Sequence, residues 1–138
     1  MREIGRAVCQ PGVVTATSES VESINAVTLL TADMAAAVRF YGALGFVLLS
    51  GGADASFTTF RAGDSFLNLQ LDPAHAPIND IWGRVIFWVA DVDAVYAQAK
   101  GAGYEPSTTP ADASWGERYF HIRDADGHEL SFARPLGA

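Results

Sequence analysis

Apolar and polar positions alternate over Ala26–Leu30 and again over Arg84–Val89, the period of a half-buried strand. Each run leads into an aspartate, Asp33 or Asp91, and then into a stretch of helical character. Setting Asp33 on Asp91 also sets Ala36 on Ala94, Gly45 on Gly103 and Phe46 on Tyr104. Each match has a local cause. A carboxylate at that place caps the free N–H groups of a starting helix. A glycine after the helix adopts the left-handed conformation that stops it. A new strand is expected to begin immediately after each glycine.

The later parts of the two copies also pair. Phe60–Leu71 reads as strand, turn, strand, with Gly63-Asp64 as the turn signal. Tyr119–Ala133 reads the same way around Asp126-Gly127. The pattern predicts an α+β fold of two tandem β-α-β-β-β modules, residues 24–71 and 84–138. They are joined by a linker over 72–83 that has two prolines and no periodicity. Residues 1–23 form an N-terminal arm, polar and Ser/Thr-rich toward its end, either loose or added to a sheet as an edge strand. Two copies are too few for a solenoid. Two half-sheets forming one compact domain over 24–138 are expected instead.

Alternation assigns faces within the strands. Val27, Leu29, Val85, Phe87, Leu130 and Phe132 fall on one side and predict a core packed on the helices. The opposite side is mixed. It carries Thr28, Asn68, Gln70, Arg84, Trp88, Glu129 and Ser131, the candidate ligand-binding residues.

Composition narrows the function classes. Of 138 residues, 49% are hydrophobic, which is a globular composition, and the formal charge is −7. With Lys100 as the one lysine, there is no basic face to bind nucleic acid. No apolar run reaches membrane-spanning length, and Arg2, Glu3 and Arg6 interrupt any signal-peptide pattern. Cys9 stands alone, so no internal disulfide forms. A cytoplasmic location is expected.

The paired modules, the Asp33 and Asp91 helix starts and the ending Ile122–Pro135 (IRDADGHELSFARP) together resemble the vicinal-oxygen-chelate superfamily. That superfamily includes glyoxalases, extradiol dioxygenases, fosfomycin-resistance enzymes and bleomycin-resistance proteins. The resemblance covers Ile24 to Leu136, with Ala125 where the usual pattern has proline. It implies two modules whose sheets wrap a cavity, with helices on the convex side. It also implies four metal positions, which here hold Ala26, Asn68, Arg84 and Ser131. None is a histidine or carboxylate, and an arginine repels a divalent ion. Neither a metal nor another cofactor is expected. The resemblance points to a small-molecule binding protein of the bleomycin-resistance type, acting as a homodimer that completes the cleft. The alternative is an enzyme of the same superfamily, a lyase, isomerase or dioxygenase. It would be either metal-dependent through residues such as Glu129, His121 or Gln70, or metal-free with Arg84 stabilising an oxyanion and Glu129 as base.

Two readings stay open for the named residues. Arg84 either holds a ligand carboxylate or phosphate through its planar fork, or pairs internally with Glu129. Trp88 either stacks on a flat ligand or fills space. Trp82 and Trp115 either rim a pocket or fix loops. His75, His121 and His128 do not have the spacing of a ligand set, and Ser131 has no obvious base in sequence. The acidic balance suits a cationic, partly aromatic ligand, with Arg84 arguing for some negative group on it.

Overall fold

In the computed structural model, which describes residues 20–137, the first module runs β1 (Ala26–Thr31), α1 (Met34–Ala43), β2 (Val47–Ser50), β3 (Phe57–Ala62) and β4 (Ser65–Leu71). The second runs β5 (Arg84–Trp88), α2 (Val92–Gly101), β6 (Ala111–Asp112), β7 (Glu117–Arg123) and β8 (Glu129–Pro135). The fold is α+β, one β-α-β-β-β order used twice. The predicted arm over 1–23 lies outside the described residues except for 20–23.

Both helices begin and end as the paired residues dictate. Asp33 accepts from the Ala36 N–H at 3.1 Å, and Asp91 from the Ala94 N–H at 3.0 Å. Gly45 and Gly103 take φ of 98° and 95° just beyond the last turns. The next residues then reach back into the helix, Phe46 N to Tyr41 O and Tyr104 N to Ala99 O. These bonds satisfy carbonyls that a helix end would otherwise orphan.

Each module forms a four-stranded mixed sheet, in the order β1-β4-β3-β2 or β5-β8-β7-β6. The first strand of each module runs parallel to the last, and the other pairs are antiparallel. β1 and β5 are therefore edge strands. One expectation fails in the second module. No strand follows Tyr104 directly, and pairing waits until Ala111–Asp112. Pro106 and Pro110 stand in between, and a proline has no N–H to give a ladder.

The apolar strand faces and both helices share one core. Phe60, Phe120 and Phe132 are fully buried in it, each stabilising by roughly 2–3 kcal/mol relative to exposure. Phe46 ties the modules together, with its ring centroid 5.0 Å from Phe87 and 6.1 Å from Phe132. A polar lock lies beside it. The Tyr41 hydroxyl donates to Asp124 Oδ2 at 2.6 Å, in full burial. Burial, then the Asp124 charge, raises the Tyr41 pKa well above its ordinary value, so the phenol stays a donor. Burial also raises the Asp124 pKa, against the opposing pull of the Tyr41 hydrogen bond.

The β7–β8 turn completes the junction. Asp126 Oδ1 accepts from Ala32 N–H at 2.9 Å, and Ile78 N–H donates to Asp126 O at 2.9 Å. Gly127 has φ of 92°, and a Cβ there would collide with the Ile78 carbonyl. His128 bonds Leu30 O through Nε2 at 2.8 Å, while its Nδ1 accepts from the Trp82 indole at 3.0 Å. His128 and Trp82 thus fix the junction.

Candidate functional site

The mixed face of the second sheet is a grid set by register. Arg84, Glu129 and Arg123 lie abreast across β5, β8 and β7. Ile86, Ser131 and His121 form the next row, then Trp88, Ala133 and Tyr119. Phe120 and Ile122 alternate with these on β7 and are buried in the core, which sends His121 to the mixed side.

Arg84 donates to Glu129 Oε2 through Nε at 2.8 Å and one Nη at 2.5 Å. Glu129 is 5% exposed and the Arg84 side chain 38%. The pair therefore neutralises a buried carboxylate at a position where the sequence resemblance places a metal ligand. This bears on the metal-free enzyme alternative, which takes Glu129 as base. Glu129 is tied to Arg84 through Oε2 rather than unpaired.

Ser131 does have a base beside it, contrary to the sequence expectation. His121 Nδ1 lies 2.5 Å from Ser131 Oγ. Burial lowers the His121 pKa below its usual value, the Arg84 charge lowers it further, and the Glu129 charge acts in the opposite sense. These effects together favour the neutral imidazole. Among the described residues, the Ser131 hydroxyl bonds only to this ring. Ser131 is 3% exposed, so its proton has to go to His121 Nδ1, which leaves the ring proton on Nε2.

Beside these polar rows lies an apolar shelf. Ile86 and Trp88 are 57% and 56% exposed. Tyr119 packs against His121, with ring centroids 5.0 Å apart, and Trp115 lies over Tyr119 at 5.7 Å. The Trp115 indole N–H donates to Glu117.

The mixed face of the first sheet carries the other candidates. Thr59 donates to Asn68 Oδ1 at 2.8 Å, and Asn68 Nδ2 donates to Thr28 Oγ1 at 3.2 Å. Gln70 stands exposed in the next row, beside Leu30 and Phe57. The seven candidates therefore form two sets, one on each sheet. Among the described residues, no hydrogen bond joins the sets.

A cavity of about 740 Å³ opens between the free edges of β1 and β5. Ala26, Phe46 and Phe66 line one side, and Arg84, Ile86 and Trp88 the other. Of the four positions that the resemblance assigns to a metal, Ala26 and Arg84 line this cavity, and Asn68 and Ser131 are not among its lining residues. Among the described residues, no group of three or more His, Cys, Asp or Glu is placed to hold a metal ion. No helix among them is long and apolar enough to cross a membrane.

Paired mixed-sheet modules with this shared core define a fold class that hosts both enzymes and binding proteins. Residues 23–132 match the Glyoxalase/Bleomycin resistance protein/Dioxygenase superfamily, and the chain belongs to it. Solved structures agree. TioX from Micromonospora sp. ML1 is similar at 27% identity and a TM-score of 0.66, over 83% of this chain and all of that one. Lactoylglutathione lyase from Agrobacterium tumefaciens is similar at 17% identity and 0.66, covering 83% and 95%. A bleomycin-binding protein complexed with bleomycin is similar at 22% identity and 0.64, covering 83% and 98%. No curated protein sequence matches the chain.

Proposed function

We propose that the chain is a small-molecule binding protein of the glyoxalase/bleomycin-resistance type, which sequesters its ligand without the family's usual metal. The Arg84–Glu129 ion pair carries this reading. It puts a cation where a metal would need an anionic or imidazole donor, directly beside the exposed Ile86–Trp88 shelf. A bleomycin-binding protein complexed with bleomycin has the same fold, which supports the binding of a small molecule. The two half-sites on separate sheets support a homodimer. A second copy would lay its Thr28–Asn68–Gln70 face opposite the Arg84–Trp88 face and close two equivalent clefts.

The test is a titration of the full chain with a ligand panel that includes bleomycin, followed by tryptophan fluorescence, with and without chelator. Saturable, chelator-insensitive binding with the ligand recovered unchanged is the expected result. Turnover of the ligand, or binding that needs a divalent ion, would overturn it. Light scattering should give a mass near twice 14.7 kDa.

A further inference from the structure

We propose that the mixed face of the second sheet takes a planar aromatic carboxylate, with its carboxylate bridging His121 and Arg84 and its ring on the Ile86–Trp88 shelf. This names the ligand class for the binding function above and rests on that reading. Three observations lead to it.

The first is the balance of donors and acceptors. Glu129 is the acid between the two groups, and Arg84 binds its Oε2. The Nε and one Nη serve that bond, which leaves the far edge of the guanidinium with N–H groups to offer. His121 presents Nε2–H, because Ser131 occupies Nδ1. Both free groups are donors. A ligand cation would meet them unfavourably, and a ligand oxygen with two lone pairs would not.

The second is spacing. Arg84 leans over Glu129 and His121 over Ser131, two residues apart along β8. Two residues along a strand span roughly 6.7 Å. A carboxylate with one hydrogen bond at each oxygen covers about 7–8 Å between donor atoms. The two oxygens of a carboxylate match this spacing better than a single carbonyl oxygen.

The third is the surface beside them. Ile86 and Trp88 are more than half exposed on the β5 side, and Tyr119 adjoins His121 on β7. They offer flat apolar area on which an aromatic ring stacks. The cavity along β5 has Arg61 and Arg84 in its lining and no acidic residue. The edge of the shelf along β5 is thus free of acidic side chains, unlike the chain as a whole with its charge of −7.

The groups around His121 set a pH signature. They are Ser131 and Glu129 from β8, Arg84 from β5, and Tyr119 and Arg123 from its own strand, while Ser107 and Thr108 meet its backbone. A bound carboxylate adds a negative charge beside the ring and favours its protonated form. Binding therefore takes up a proton and tightens as pH falls toward the range where His121 ionises.

Isothermal titration of the full chain with naphthoate, naphthamide and naphthylmethylammonium tests this without a mutation. Naphthoate is expected to bind about tenfold tighter than the amide, with no measurable binding of the ammonium. Its affinity is expected to rise between about pH 7.5 and about pH 6, where its carboxylate stays ionised. In His121→Asn this rise should vanish while the fold is kept. Equal affinity for acid and amide, preference for the ammonium, or a pH-independent wild type would overturn the proposal. So would failure of all three probes. If bleomycin or another panel member still binds in that case, the binding function stands and only the ligand class falls.

Discussion

Arg84 and Glu129 face each other across the parallel pair β5 and β8, and two guanidinium nitrogens converge on one carboxylate oxygen. The carboxylate is nearly buried while the arginine keeps an exposed edge. The pair thus holds a charge inside the protein and presents another outward.

Truncating the cation should therefore cost more than neutralising the anion. Arg84→Ala leaves Glu129 buried without its partner, and a loss of about 2 kcal/mol is expected in urea denaturation. Glu129→Gln removes the stranded charge and should cost about half as much or less. Equal losses would mean that Glu129 finds water once Arg84 is gone.

The turn that joins the modules predicts a contrast between two glycines. Gly103→Ala meets open space and bears only the left-handed backbone, about 1–2 kcal/mol. Gly127→Ala bears the same backbone and also drives a methyl group into the Ile78 carbonyl. It should lose roughly 3 kcal/mol or more, seen as the larger drop in thermal midpoint.

Tyr41→Phe should destabilise by about 1–3 kcal/mol, because it strips a hydrogen bond from a buried carboxylate. The Asp124 pKa is raised, so this carboxyl binds a proton more tightly in the folded chain than in the unfolded one. Its ionisation costs stability as pH rises through the folded pKa, and the cost eases below it. The variant's deficit should therefore be larger at neutral pH than in mild acid, measured by denaturation at both.

His121 runs the other way. Its folded pKa lies below the ordinary 6.5, so the unfolded chain takes up the proton more readily. Stability from this group is present above about pH 6.5 and is lost as pH falls toward the folded pKa. His121→Gln should flatten that part of the stability profile in the ligand-free protein.

Much of the architecture was legible in local chemistry. The caps Asp33 and Asp91, the stops Gly45 and Gly103 and the strand alternation act within a few residues of themselves, so their consequences can be read in order along the chain. The alternation Phe120–His121–Ile122 carried enough signal to place His121 on the mixed face. The delayed β6 strand was also readable from Pro106 and Pro110. The tertiary structure alone decided what stands next to what. Sequence left Arg84 open between ligand and Glu129, and the parallel β5–β8 register brought the pair together from 45 residues apart. Ser131 acquired His121 through the β7–β8 hairpin. The Thr28–Asn68–Thr59 chain was likewise set by register, through β1 on β4 and β4 on β3. Periodicity says which side of a strand is apolar, but it does not say where that side points once two modules bury it together.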